Sequence, residues 1–205
     1  MVQKCGMTDA EQLAALLARR RLADTTTQSV AAIDAEIFAR FGRTQAVMFT
    51  DLVGFSRVVE AFGIVHFLQL IQESEALFQP LIAAHGGRCL KHEGDSLLVL
   101  FDAPQQAVAC AHAMVQATQR ANAPGRAPEE RIEVCIGLGY GTVLCIDDED
   151  VWGAEVNAAS KLGEDTAKGG EIWVTDSLFD AVPGLPFSAS GELFGKRTVY
   201  RLAPA

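Results

Sequence analysis

The chain alternates between short apolar runs and longer stretches in which apolar residues recur at helical spacing. The runs at 46–49 and 97–101 are continuous, which is typical of buried strands. Helical spacing over 56–85 predicts a long helix, which Gly63 is expected to break early and Pro80 to kink or to split near its end. The pattern therefore indicates a mixed fold of strands and helices.

The next elements complete the order β-α-β-β-α-β. Strands are predicted at 88–92 and 131–140, and a helix over 104–122 follows the third strand. This order is the split-βαβ, or ferredoxin-like, unit. We therefore predict an α+β fold with a ferredoxin-like βαββαβ core, added strands, and a mainly antiparallel sheet flanked by helices. The added elements are a turn and strand over 141–146, a helix from about Trp152, a strand over 171–175, a short helix over 176–181, and a hairpin of 186–194 and 198–202.

Two short amphipathic helices are predicted ahead of this unit. The first, over 8–22, begins with a capping box formed by Thr8 and Glu11. The second is expected from about Ser29 to Phe41, after a break at 24–27. Helices this short cannot fold alone, so they pack either on the main domain or on a partner chain.

Length and charge narrow the class of protein. With 205 residues, 49% of them hydrophobic, the chain suits one domain with an appendage, which we divide into an N-terminal helical segment (1–43) and a main domain (44–205). A formal charge of −9 argues against a nucleic-acid-binding surface. The five cysteines lack metal-ligand spacing and are expected to be core residues in a reducing compartment. No apolar run approaches the roughly 18 residues of a membrane span and no signal peptide is recognised, so a cytoplasmic protein is expected.

Two carboxylates stand at predicted strand ends. Asp51 follows the first strand, and Asp95 lies in the tight turn between the second and third. A right-handed crossover places the first and third strands side by side, which brings both aspartates to one end of the sheet. Asp51 alone is also compatible with a turn former or a helix cap. Two carboxylates that meet would repel, and divalent metal ions would resolve that repulsion in a site suited to displacement at phosphorus.

The turn after Asp51 offers a second kind of site. Its backbone amides are freed by a tight turn and by the start of a helix, an arrangement that suits an anionic group such as phosphate. The amides belong to Val53, Gly54, Phe55 and Ser56. The spaced glycines at 137, 139 and 141 are not a dinucleotide fingerprint, because no helix follows them directly.

Three motifs, in order, resemble the catalytic domain of the class III nucleotidyl cyclases. They are FTDLVGFS at 49–56, KHEGDS at 91–96 and DVWGxxVNxAS at 150–160. The resemblance covers about residues 44–203 with fitting spacing. It implies a homodimer with two ATP sites at the subunit interface, each converting ATP to 3′,5′-cyclic AMP and pyrophosphate with two divalent metal ions, Mg²⁺ or Mn²⁺.

The resemblance also implies roles for individual residues. The metal ligands would be Asp51, Asp95 and the carbonyl of Leu52. The amides from Val53 to Ser56 would hold phosphate, and Asn157 would position the ribose. In the family the metal ligands and the residues that recognise the base come from opposite subunits, so dimerisation is expected to be required for chemistry.

The residues matching the base-recognition pair are Lys91 and Asp150. Adenine offers an acceptor at N1 and a donor at its amino group, whereas guanine reverses both. Lysine only donates and an ionised aspartate only accepts, so the pair fits adenine. The alternative is that Lys91 is a surface cation and Asp150 a solvated acid.

One position departs from the family pattern. The family usually has arginine four residues after the asparagine, where it steadies charge on the α-phosphoryl group, and here that residue is Lys161. Lysine keeps the charge but loses the planar two-pronged grip. Lys196, in a shortened loop, matches a triphosphate-binding lysine. An adenylate cyclase is therefore predicted, with a slow or inactive nucleotide-binding or regulatory module as the alternative, and with the N-terminal helices as a contact for a regulatory partner.

Overall fold

The computed structural model describes residues 6–23 and 27–204, and an eight-stranded sheet runs through it. The strands are β1 (Gly42–Leu52), β2 (Arg88–Glu93), β3 (Ser96–Phe101), β4 (Val134–Ile146), β5 (Asp150–Trp152), β6 (Ile172–Thr175), β7 (Phe187–Leu193) and β8 (Arg197–Leu202). The helices are α1 (Asp9–Leu22), α2 (Thr27–Phe41), α3 (Phe55–Phe62), α4 (Ile64–Ala84), α5 (Pro104–Ala121), α6 (Ala154–Lys161) and α7 (Asp176–Ala181). A 3₁₀ turn at Pro128–Glu130 and a π-helical turn at Leu162–Thr166 complete the described elements.

The order of the strands confirms the predicted fold class. They follow β2-β3-β1-β4-β6-β8-β7 across the sheet, and β5 pairs with β4 outside this path. β1 lies between β3 and β4 and is antiparallel to both. The first and third strands are therefore neighbours, as the handedness of the crossover predicted.

The two faces of the sheet bury different helices because successive strand residues point to opposite sides. Met48 faces the larger core, where the fully buried rings of Phe67 and Phe78 pack from α4 together with side chains of α5. Burial of each such ring contributes about 1.5–3 kcal/mol. Val47 faces the other side, where it packs with Ala159 of α6.

The structure corrects three predicted boundaries. The helix predicted from about Trp152 begins at Ala154, because Trp152 pairs with β4 as the last residue of β5. β4 continues without a break through Gly141, because β1 is long enough to pair with it there, Gln45 opposite Gly141. The separate turn and strand predicted over 141–146 is therefore wrong. Pro80 lies inside α4 and does not split off its end, whereas Gly63 separates α3 from α4 as predicted. The predicted break at 24–27 falls largely on residues 24–26, which lie outside the described residues.

The N-terminal helices pack on the main domain. Thr8 and Glu11 form the predicted capping box at the start of α1. Leu16 of α1 and Ile37 of α2 are buried in one cluster with Ile146 at the end of β4. Of the two alternatives for these helices, packing on the main domain is the one the structure shows. The division of the chain at residue 43 stays a prediction.

The described cysteines are free thiols, and Cys110 and Cys135 are buried, as predicted for core residues; Cys5 lies outside the described residues. Burial raises the pKa of each of these two thiols to about 12. In the segments 6–23 and 27–204, no helix combines the length and the apolar character needed to cross a membrane.

Candidate active site

The end of β1 and the β2–β3 turn meet at one end of the sheet. Thr50 lies opposite Leu97 in the sheet, and its hydroxyl accepts the Leu97 N–H at 3.3 Å. The hydroxyl of Ser96 donates to Oδ1 of Asp51 at 3.2 Å. Because Asp95 immediately precedes Ser96, the structure brings the two predicted metal ligands into one neighbourhood.

The charge of the two aspartates is poorly neutralised by the surrounding protein. Burial, and then the nearby charge of Asp95, raise the pKa of Asp51 to about 6 against the opposing hydrogen bond from Ser96. Burial also raises the pKa of Asp95, and the charge of Glu164 adds to that rise. Burial and mutual repulsion disfavour the ionised form of these two carboxyl groups, and a bound divalent cation would favour it. The pair is therefore chemically suited to bind such a cation.

The alternative of Asp51 as a helix cap does not hold. The N-cap of α3 is Gly54, with a left-handed φ of 90°, and no side chain of the described part of the chain caps this helix end. Asp51 therefore does not cap α3.

Part of the predicted phosphate-binding turn is already occupied. The Val53 N–H donates to the carbonyl of Glu133 at 2.9 Å, so in this structure its donor is used within the chain; a phosphate-binding role for this amide stays a prediction. Phe55 and Ser56 are the first residues of α3, where amides have no acceptor within the helix. With the N-cap Gly54, they leave three amides of the predicted four for an anion.

Lys91 and Asp150 contact each other within one chain. Lys91 lies on β2 and Asp150 begins β5, and Nζ and Oδ1 are 2.8 Å apart. The hydrogen bond to Asp150 raises the pKa of Lys91. The alternative of two separately solvated charges is therefore not what the structure shows, and a donor and an acceptor stand side by side.

A cleft of about 330 Å³ lies beside this end of the sheet, and it is lined by Lys91 and by Ser96, whose hydroxyl donates to Asp51. Its polar lining comes from Lys91, Glu93, Ser96, Ser160 and Glu164. Glu164 lies in the π-helical turn after α6, accepts from the Ser160 hydroxyl at 3.1 Å, and raises the pKa of both Asp51 and Asp95. Local periodicity had no signal for this third carboxylate, because only the fold brings the turn after α6 to the end of β1.

α6 lies directly on β4 because β4 lacks side chains at that contact. A Cβ added to Gly137 would stand 2.0 Å from the carbonyl oxygen of Ala159, and one added to Gly139 would stand 2.8 Å from that of Glu155. The spaced glycines thus allow α6 to pack closely on β4. This agrees with the prediction that they are not a dinucleotide fingerprint. They set the position of α6, which carries Asn157 and Lys161.

Asn157 and Lys161 are exposed on α6. Lys161 ends the helix and forms an ion pair with Asp165 one turn later, and this hydrogen bond raises its pKa. Among the residues that the structure describes, no hydrogen bond or ion pair joins either side chain to Asp51 or Asp95.

The buried carboxylate of Glu155 links α6 to the sheet. Glu155 accepts the Tyr140 N–H at 3.2 Å and the Thr175 hydroxyl at 3.0 Å, and its Oε1 lies 2.9 Å from Arg197 Nη1. Sequence analysis missed this role, because Ala154 before it is exposed and the partners of Glu155 lie far away in the chain. Lys196 precedes Arg197 and lies exposed in the β7–β8 turn.

Residues 41–194 match the sequence model of the family described as the adenylate and guanylate cyclase catalytic domain. The chain belongs to this family. The match covers β1 to β7, the turn with Asp95 and α6, so the family accounts for the elements that meet at the cleft.

Individual relatives agree with the family assignment. The chain is 33% identical over 143 residues to "Putative adenylate cyclase 3" of Rhizobium meliloti, covering 69% of this chain and 24% of that protein. It is also 33% identical over 144 residues to an adenylate cyclase of Streptomyces coelicolor, covering 70% and 35%. The chain thus spans about a quarter to a third of the length of these relatives.

Solved cyclase structures share the fold. The adenylate/guanylate cyclase/hydrolase of Silicibacter pomeroyi superposes with a TM-score of 0.69 at 29% identity, covering 80% of this chain and 98% of that one. The guanylyl cyclase Cya2 superposes with a TM-score of 0.67 at 23% identity, covering 79% and 92%, which shows the fold alone. The family and the fold are therefore shown, while the choice between adenine and guanine nucleotides is a separate question.

Proposed function

We propose that this cyclase domain is an adenylate cyclase that converts ATP to 3′,5′-cyclic AMP and pyrophosphate at a homodimer interface. The observation that carries the proposal is the contact of Lys91 with Asp150 at 2.8 Å. A fixed donor beside a fixed acceptor matches the N1 and amino group of adenine and mismatches the same positions of guanine. The adenylate cyclases among the relatives support this choice.

In the reaction the 3′-oxygen of ATP bonds to the α-phosphorus, the bond to the pyrophosphate oxygen breaks, and the hydroxyl proton passes to water. Asp51 and Asp95, with the Leu52 carbonyl, would hold divalent cations, Mg²⁺ or Mn²⁺. When bound, such ions favour the attacking alkoxide and offset charge on the phosphates. The amides of Gly54, Phe55 and Ser56 would hold phosphate oxygens at the start of α3, with Lys196 as a further cation for the triphosphate.

The other two residues act on the ribose and on the α-phosphoryl group. Asn157 would orient the ribose so that its 3′-hydroxyl is in line with the leaving group. Lys161 would donate to oxygens that gain charge in the transition state, after releasing Asp165. A second copy is expected to supply these side chains, because the resemblance implies a site shared between two subunits.

A second candidate function follows from the state of Lys161. Its ammonium group is engaged by Asp165, and lysine lacks the fork of the family's arginine. A domain that binds ATP and turns it over slowly, or not at all, would act as a regulatory nucleotide-binding module. The two candidates differ in whether cyclic AMP forms.

The deciding experiment is a product assay with ATP and with GTP, each in the presence of Mn²⁺. Cyclic AMP from ATP, with a strong preference over GTP, is the result expected. Equal use of both nucleotides would contradict the base-recognition role of Lys91 and Asp150. ATP binding without any product, from the unmodified chain and from Lys161→Arg alike, would make the regulatory module the better proposal.

The homodimer is tested by mixing two inactive variants. Asp95→Asn damages the metal site and Asn157→Ala the ribose contact, so each variant alone is expected to be inactive. A mixed dimer with sites shared between subunits has one site carrying both changes and one carrying neither. Activity should therefore return on mixing, and a lack of recovery in proven mixed dimers would refute a shared site.

A further inference from the structure

The turn that joins β4 to β5 has an unusual backbone. Asp147 and Asp148 have left-handed φ values of 51° and 57°. Aspartate is among the few non-glycine residues that tolerate this region, and the conformation still needs support from its surroundings. Asp150 follows two residues later and begins β5.

α1 supplies that support. The N–H groups of Asp9 and Ala10 donate to Oδ1 and Oδ2 of Asp147, each at 2.9 Å. These are first-turn amides with no acceptor in their own helix, so the distant Asp147 carboxylate satisfies two of them and lies at the positive end of the helix dipole. The capping hydroxyl of Thr8 serves a different amide, that of Glu11.

Apolar packing against the N-terminal helices also stabilises the β4–β5 hairpin. Ile146, the last residue of β4, is buried with Leu16 and Ile37 of the N-terminal helices. Ile146 lies opposite Asp150 in the sheet. β5 has only three residues and pairs with β4. Few backbone hydrogen bonds other than those of the β4–β5 hairpin therefore fix the position of Asp150.

We propose that Asp147 is a positioning residue, which ties the β4–β5 turn to the start of α1 and thereby sets the place of Asp150 in base recognition. The inference rests on the proposed function, in which Asp150 recognises adenine. It gives the N-terminal helices a specific part in nucleotide selectivity. A movement of α1 would displace Asp147 through its two hydrogen bonds, and the displacement would shift Asp150 at the start of the three-residue strand β5.

The test compares one substitution at two neighbouring positions of the turn. Asp147→Gly keeps the left-handed backbone and removes both hydrogen bonds to α1. Asp148→Gly, the matched control, makes the same change at a residue whose side chain contacts Arg88 at 2.6 Å. Asp147→Asn keeps one acceptor and should retain part of the function.

Asp147→Gly should lower the kcat/KM preference for ATP over GTP by at least about fivefold, because a displaced Asp150 would leave the amino group of adenine unpaired. The loss should appear in KM for ATP more than in kcat. Asp148→Gly should stay within about twofold of the unmodified protein, and Asp147→Asn should lie between them. Unchanged selectivity in Asp147→Gly would overturn the proposal and leave Asp147 as a helix cap alone.

Amide hydrogen exchange and equilibrium ATP binding separate this proposal from the proposed function. If the protein makes no cyclic AMP, Asp147→Gly should still bind ATP more weakly and exchange faster at residues 150–152. Faster exchange confined to α1, with unchanged ATP binding, would refute the positioning role. If Asp147→Gly fails to fold, Asp147→Asn is measured in its place, and a shift in the same direction is required.

Discussion

Asp51→Asn should stabilise the metal-free protein while abolishing its activity. The substitution keeps the shape of the side chain and removes its charge from a place where burial and Asp95 disfavour it. Folding raises the pKa of Asp51 from its ordinary value of 3.8 to about 6. The folded state therefore binds this proton more tightly than the unfolded chain does.

The sign of the pH dependence follows from that difference. The contribution of Asp51 to stability is fully present below about pH 4 and is lost as the pH rises through about 6. The difference in pKa corresponds to about 3 kcal/mol at 1.36 kcal/mol per pKa unit. Because the side chain is only half buried, solvent screening reduces this to about 1 kcal/mol.

The assay is urea and thermal unfolding in EDTA at pH 5 and pH 8. At pH 8 Asp51→Asn should be about 1 kcal/mol more stable than the unmodified protein, a rise of about 2–4 °C in Tm for a chain of this size. At pH 5 the advantage should shrink. Mn²⁺ should stabilise the unmodified protein and leave Asp51→Asn unchanged, since the variant lacks a ligand.

Asp180→Asn is the control, because it removes an exposed carboxylate from α7. It should show neither the gain at pH 8 nor the loss of response to Mn²⁺. The reasoning is refuted if Asp51→Asn is less stable than the unmodified protein at pH 8 in EDTA, or if the two differ equally at both pH values.

Three further predictions concern specificity, catalysis and packing. Lys91→Glu with Asp150→Cys should erode an ATP preference of at least about tenfold, since mispaired polar groups cost about 1–3 kcal/mol each; competition assays with GTP measure this, and an unchanged preference would contradict the assignment. Lys161→Ala should lower kcat by about tenfold or more, whereas Lys161→Arg should match or exceed the unmodified rate; equal rates for Lys161→Ala and the unmodified protein would remove Lys161 from the mechanism. Gly137→Ala should destabilise the fold by about 1–3 kcal/mol or more in urea unfolding, because its Cβ meets a backbone carbonyl of α6; a neutral effect would show that α6 can shift without cost.

Local pattern was sufficient for most of the fold. The βαββαβ order could be predicted because apolar periodicity records which face of each element is buried, and that information lies within each segment. The neighbouring positions of β1 and β3 followed from the handedness of crossovers, a rule that needs no tertiary detail. The same two steps brought Asp51 and Asp95 together before any contact was known.

Close backbone contacts required the structure. Gly141 resembles a turn residue in isolation, yet β4 runs through it because β1 supplies a partner along its length. The Val53 amide looked free for phosphate, but the Glu133 carbonyl takes it. In both cases the deciding partner is distant in sequence and has no periodic signal of its own.

Long-range polar contacts were likewise decided by tertiary structure. The approach of Glu164 to the aspartates and the Glu155 network beneath α6 each join elements that are separate in the chain. So does the bond from Asp147 to α1, where a surface acid proves to hold a helix end. A sequence determines which side chains are buried through local periodicity, whereas the pairing of individual polar atoms depends on how whole elements are placed against one another.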